Sequence, residues 1–382
     1  MKRVYYILCM LATPLLWCQA GLYNLGNLHI HDQGNLGIHT NLINNGVFDT
    51  NTGLVGFYGE EPIVLSGAFE PRFFDVEFDN ETGVLLRTNM QVKNNANFIY
   101  GNLITLRNLD ISYLNFLSNA FYTGESNVSK VFGYAAVTDQ QNFTFPIGDG
   151  AQLRTLTLNS SSINEFARAT YFYENPSAPN SINATFSTLF KTRDIGSISN
   201  EEFWILRGDV SSNVTLSWNE RSNIPLLTTD INELTLVGWN SGAGQWVILG
   251  KSAIGGDLTE GFITSDNFLP NTYGAITFAS LAEAEEILEL DNYFLSPNGD
   301  GINDFLVIEG MELSNDNTIN IYNRQGQKVF EMDNYTNQFK GVSNLENFVL
   351  NREIGLPEGI YYYTVSLIDL GLNFQGFLFL DR

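Results

Sequence analysis

The residues best equipped for chemistry stand in one run, Asn298-Gly299-Asp300-Gly301-Ile302-Asn303-Asp304. Side-chain oxygens at Asn298, Asp300 and Asp304, set around glycines that permit sharp turns, match part of a calcium loop. Counted from Asn298, Glu309 falls at the twelfth position, where an EF-hand loop places a bidentate carboxylate. Ile302 and Asn303 depart from such a loop, and Phe305-Leu306-Val307-Ile308 reads as a strand that carries Glu309 away. The residues therefore favour an Asx/Gly turn held by its own side-chain hydrogen bonds, with calcium as the second reading.

Other constellations are sparse. His29, His31 and His39 are the only histidines; the first two would share one strand face, and a neighbouring coil could bring the third close enough for a metal. A solvated face is the plainer account of them. No G-x-S-x-G elbow occurs to receive a Ser-His-Asp arrangement. With 42 acidic residues, carboxylate pairs arise by chance and carry little argument for glycosidase chemistry. Trp204, Trp218, Trp239 and Trp246 could form a sugar-stacking platform, but at strand positions they read first as core.

The turn-forming run needs elements to hold it, and strand-length apolar blocks follow it. These are Thr318-Ile319-Asn320-Ile321-Tyr322, Gln327-Lys328-Val329-Phe330-Glu331 and the stretch from Ile360 to Leu367. Asn323-Arg324-Gln325-Gly326 links the first two as a tight hairpin turn. Short strands, regular turns and no helix signal predict a small antiparallel β-sandwich over residues 292–382.

Four ordered motifs in this region carry a family resemblance. They are Ser296 to Asp304, Ile321 to Glu331, Leu356-Pro357-Glu358-Gly359-Ile360-Tyr361-Tyr362-Tyr363, and Gly376 to Arg382. Together they resemble the gliding-motility-associated C-terminal domain, the type B sorting domain of the Bacteroidetes type IX secretion system. Where that family usually has N-x-W-(D/N)-G, this chain has Asn337-Gln338-Phe339-Lys340-Gly341. The resemblance implies passage through the outer-membrane translocon, docking on a PorP/SprF-like outer-membrane barrel, and residence at the cell surface or in the medium. It makes Ser296, Pro297, Asn298, Gly299, Asp300, Gly301, Asn303, Asp304, Tyr322, Asn323, Arg324, Gly326, Pro357, Gly359, Tyr361 and Arg382 the candidate sorting and docking residues. Gly326 and Gly359 among them read more as turn formers than as recognition sites.

The rest of the chain is the body that such a module would export. Residues 1–20 carry Lys2-Arg3, an apolar run and then Cys18-Gln19-Ala20, the pattern of a secretory signal peptide. Cleavage after Ala20 is favoured over lipidation at Cys18, because Trp17 stands where a small residue is expected. Cys9 and Cys18 are the only cysteines, so the mature chain would have neither disulfides nor a thiol nucleophile. A net charge of −23 argues against nucleic acid and against direct adhesion to anionic lipid, both of which need a basic patch.

Aromatic residues at 13%, with abundant Asn, Thr, Ser and Gly, point to an all-β protein. Across residues 21–124, short apolar strands turned by Asn and Gly predict a β-solenoid or related layered β module. Its clearest echo is Gly26-Asn27-Leu28-His29-Ile30-His31 against Gly34-Asn35-Leu36-Gly37-Ile38-His39. Residues 125–280 read as a central Ig-like sandwich, with Val214, Leu216 and Trp218 alternating against Thr215 and Ser217. Residues 281–291, rich in Glu, read as a short acidic helical linker.

Two functional classes follow. In the first, the chain is a non-enzymatic secreted or surface protein that uses the type IX system. Its C-terminal domain is then the sorting signal and dock, and the whole serves as an accessory of the gliding or secretion apparatus or as an adhesin. In the second, the body is carbohydrate-binding or glycoside-hydrolysing cargo that touches a surface glycan. No cofactor beyond the calcium reading is expected.

Overall fold

A computed structural model of the chain describes residues 21–109, 111–282, 293–345 and 355–382. The expected signal peptide and residues 283–291 of the expected linker lie outside the described residues; Leu281 itself ends a strand, Tyr273–Leu281. Strand makes up 49% of the structure and helix 4%, so the chain is all-β.

The N-terminal region is a parallel β-solenoid. Gly21–Asn24, Asn41–Asn44, Ile63–Ser66, Val84–Leu86, Leu103–Thr105 and Val131–Phe132 stack into one six-stranded sheet. Asn35–Ile38, Leu54–Gly59, Arg72–Asn80, Met90–Tyr100 and Leu114–Phe116 stack into the other wall. Gly21 pairs with Asn41 and Asn35 with Leu54, so each coil contributes two short strands. Turn residues therefore punctuate the sequence at half the coil's period. The echo between residues 26–31 and 34–39 joins a corner to the strand after it, not two equivalent coil positions.

Leu42, Leu65 and Leu86 on one wall and Val55, Phe57, Val76, Phe78 and Phe98 on the other are fully buried between the walls. Phe57 stacks on Phe78 at 5.9 Å, and Phe78 meets Phe98 at 5.3 Å. Asparagines close the corners. The Asn24 amide donates to Asn44 Oδ1 at 2.7 Å, and the Asn44 amide donates to the Phe69 carbonyl at 2.9 Å. Such a ladder satisfies backbone groups that a turning coil would otherwise bury unpaired.

The solenoid's second wall continues across the expected boundary at residues 124 and 125. Ala135–Val137 pairs in parallel with Leu114–Phe116 and antiparallel with Ala167–Phe172, so the sheet changes sense at that strand. It runs on through Phe203–Gly208, Tyr273–Leu281, Leu234–Asn240 and Gln245–Gly250 to a total of thirteen strands. Residues before and after the boundary accordingly belong to one compact unit. The physical reason is an edge: a parallel stack ends in a strand with open hydrogen-bonding groups, and the antiparallel region covers it.

A second, five-stranded sheet faces this antiparallel part: Gln140–Phe145, Leu156–Asn164, Ser212–Trp218, Gly261–Thr264 and Ala253–Gly256. Trp204 and Trp218, one from each sheet, both meet Phe278 edge-on, at 5.5 and 6.1 Å. The alternation read from Val214, Leu216 and Trp218 is the buried side of its strand.

The other compact unit contains the C-terminal region. Its five-stranded sheet runs in the order Tyr293–Leu295, Leu372–Leu380, Gly359–Leu367, Asn317–Tyr322, Lys328–Asp333. The first pair is parallel and the others antiparallel, which corrects the wholly antiparallel expectation. Leu295, Ile319, Ile321, Tyr361, Tyr363, Val365, Leu378 and Leu380 line the buried face. Leu306, Ile308, Tyr335, Phe339 and Leu356 belong to the same core but come from irregular segments, and Met311 from the short 3-10 helix Met311–Leu313.

Candidate functional site

The loop from Ser296 to Asp304 is built from its own side chains. Asp304 Oδ1 accepts the Gly299 N–H and Oδ2 the Gly301 N–H, both at 2.8 Å. Asp300 Oδ1 accepts the Ile302 N–H at 2.8 Å and Oδ2 the Asn298 amide at 3.0 Å. Asn298 Oδ1 accepts the Asp300 N–H at 2.9 Å. Gly299 and Gly301 have φ of 85° and 86°, the left-handed region that a side chain would strain. The Ile302 N–H and the Asn298 amide hold the Asp300 carboxyl below the usual carboxylate range.

All four carboxylate oxygens thus face hydrogen-bond donors of the loop. That geometry is the Asx/Gly turn that the residue types predict. Glu309 pairs with Arg193 at 3.8 Å instead of completing the loop. Residues 305–308 join no sheet ladder, and the chain bends at Phe305, a departure from the expected strand. Their bonds go elsewhere: the Leu306 N–H donates to the Phe339 carbonyl at 2.9 Å, and the Ile308 N–H to Asn337 Oδ1 at 3.3 Å.

The remaining motif residues divide between surface and core. Asn323 organises the hairpin turn, its Oδ1 accepting the N–H groups of Gln325 and Gln327, with Gly326 at φ 76°. Arg324 is exposed at the tip of that turn, and Tyr322 is half-buried. Tyr361 is buried, and its hydroxyl donates to the Pro357 carbonyl at 2.8 Å. Phe339, the family's usual Trp position, is fully buried against Phe330 at 4.8 Å, so a smaller ring still fills that place. Arg382 Nη2 donates to the Gly341 carbonyl at 2.7 Å, and the guanidinium lies where a Cβ on Gly355 would stand. The arginine therefore ties the end of the last strand to two loops, which is a fold role.

The other sequence candidates are placed as follows. His29 and His31 stack at 4.2 Å, in a corner and not on a strand face as expected, while His39 packs by Tyr58 at 5.7 Å. Among the described residues no three His, Cys, Asp or Glu side chains gather as a metal site. Trp204, Trp218 and Trp246 are buried and Trp239 is half-buried, so they build core.

Sequence reasoning missed the buried charges of the sandwich. Arg154 and Glu202 form an ion pair at 2.6 Å, with side chains 3% and 1% exposed. Glu202 also accepts the Tyr171 hydroxyl at 2.6 Å, and Arg154 donates to Ser222 Oγ at 2.9 Å. Burial and the Glu202 carboxylate push the Tyr171 phenol up. Nearby in sequence to these partners, Arg221 pairs with Asp149 and lies over the Tyr173 ring at 3.5 Å. Arg154 and Glu202 are 48 residues apart along the chain, so nothing local marks them as partners.

Residues 288–380 match a family model described as the CHU_C type IX secretion signal domain. No curated protein and no solved structure matches the chain. The chain therefore carries a type IX sorting domain at its C-terminal end. It is cargo of that system, exported across the outer membrane to the cell surface or the medium.

Proposed function

We propose that the C-terminal unit is both the export address and the dock, held after export by a PorP/SprF-like outer-membrane barrel. The β body is then a non-enzymatic spacer or adhesive part of a surface accessory of the gliding or secretion apparatus, or of an adhesin. One observation carries this reading: the signature residues split into a core-building set and a rigid exposed set. Phe339, Leu356 and Tyr361 lie in the core, while the Asn298–Asn303 loop and Arg324 stand on the surface. A self-bonded exposed loop needs no further ordering on contact, which lowers the entropy cost of docking.

The glycan-binding alternative needs an exposed aromatic platform. Burial of three of the four candidate tryptophans weighs against it. The test is an affinity pull-down from outer-membrane extracts, comparing the intact chain with one truncated after Leu290. Recovery of a PorP/SprF-like barrel by the intact chain alone is the expected result. Recovery by both forms would move the interaction to the body, and recovery by neither, with protein in the medium, would make it released cargo.

A further inference from the structure

The buried ion pair of the sandwich reaches the surface through one hydroxyl. Ser222 Oγ accepts the Arg154 guanidinium at 2.9 Å and the Asn219 N–H at 3.2 Å, so the pair fastens the short 3-10 helix Glu220–Ser222 from beneath. Asn219 in turn donates its amide to Gln152 Oε1 at 3.0 Å and accepts the Arg221 N–H at 3.1 Å. Arg221 is held by Asp149 and lies over the Tyr173 ring. Desolvation offsets most of what a buried ion pair gains, so its net effect on stability is small. What this pair supplies is position: Gln152, Asn219 and Arg221 are locked together above it.

Those three residues line a cleft of about 860 Å³, whose other walls include Tyr173, Glu220, Asn223 and Glu260. Its size falls among small-ligand sites, about 300–1,000 Å³. Glu260 stands in a turn held by Asp257, whose Oδ1 accepts the Thr259 and Glu260 N–H groups at 2.7 and 3.1 Å. Binding groups commonly sit on such loops, carried by a rigid scaffold. Among the described residues the side chains of Glu220, Asn223 and Glu260 make no hydrogen bond. The cleft thus sets open polar groups beside fixed ones, unlike the signature loop, whose carboxylates are all engaged within the turn. Tyr173, 38% exposed, adds an aromatic surface that the buried tryptophans do not offer.

We propose that this cleft binds a sugar that carries no negative charge. Carboxylates only accept hydrogen bonds and an amide does both, so the open groups call for a ligand rich in donors, as hydroxyls are. The sugar hydroxyls donate to Glu220 and Glu260 and bond either way with the Asn223 amide, beside the Tyr173 ring. An anion is repelled by the two carboxylates, and the one cation of the lining, Arg221, already pairs with Asp149. A simple amine is disfavoured because Arg221 itself stands 3.5 Å over the Tyr173 ring, where a cation would otherwise be drawn. The inference rests on the reading of the β body as an adhesive part.

The test is a saturation-transfer NMR titration of the full chain with neutral oligosaccharides of glucose, mannose, galactose, xylose and N-acetylglucosamine. Oligogalacturonate and spermidine serve as the charged probes. Glu260→Gln and Asn223→Gly remove side chains that bond to nothing within the described fold, and glycine suits the φ of 50° at Asn223, so the unfolding midpoint should match the wild type. At least one neutral oligosaccharide should bind the wild type, and about tenfold more weakly each variant. Tyr100→Ala, which removes an exposed ring of the solenoid, should bind as the wild type does. Binding of oligogalacturonate or spermidine alone overturns the ligand class, and equal binding by all four proteins overturns the cleft. Wild-type chain that binds no sugar overturns the proposal. If beads coated with that chain still attach to bacterial cells, the adhesive reading survives; if they attach to nothing, it falls as well.

Discussion

At Asp149 two effects oppose each other. Burial alone would raise its pKa, but the Arg221 guanidinium and the N–H groups of Gln152 and Ala151 outweigh burial and hold it below the usual carboxylate range. A depressed folded-state value stabilises the fold above the unfolded Asp value, about 3.9, and that contribution is lost as pH falls below it. The urea midpoint of the wild type should therefore fall more than that of Asp149→Asn between about pH 7 and about pH 3. Parallel curves would remove the pair from the stability balance. At the signature loop the donors already face Asp300 and Asp304. Calcium at millimolar level should accordingly leave the unfolding midpoint where chelator leaves it, whereas a bound cation would raise it with concentration. These turn bonds span at most five residues, so the residue types alone made the loop legible.

Among elements, the solenoid wall was legible as strands but not as coils. Asn/Gly punctuation marks strands such as Leu54–Gly59, Val84–Leu86 and Leu103–Thr105, but nothing local states which strand lies on which. The Asn ladder supplies part of that register. Asn44 is fully buried, accepts from Asn24 and donates to the Phe69 carbonyl. Asn44→Ala removes the acceptor of one N–H of the buried Asn24 amide and the donor to the Phe69 carbonyl, and should cost about 1–3 kcal/mol. Hydrogen exchange should show faster opening of strands Gly21–Asn24 and Asn41–Asn44, with the C-terminal sheet unchanged. Equal exchange in both regions would reduce the ladder to decoration. The turn at Asn323 to Gly326 and the strands beside it were placed to within two residues by the same local reasoning.

For the whole molecule, two hydrophobic cores do not share residues, one in the solenoid and sandwich and one in the sorting unit. Separate cores predict two calorimetric transitions, each moved by its own mutations. Glu202→Gln leaves the Arg154 charge buried without its counter-ion and should destabilise the first unit by about 3–5 kcal/mol. Phe339→Ala empties a fully buried ring site and should lower only the other transition, by about 3–5 kcal/mol. A single transition shifted by both substitutions would show that the cores unfold together.

Determined by sequence alone were the β class, the self-bonded signature loop, the hairpin turn and the type IX sorting domain itself. All depend on contacts within a few residues or on motifs read in order. Only the tertiary structure decided the register of the coils, the sheet that runs on past residue 125 and the Arg154–Glu202 pair. Each of these depends on which distant backbone or charge comes alongside. Alternation is indifferent to that choice, because any apolar face would satisfy it, whereas hydrogen bonds and buried charges accept only the partner that the fold delivers.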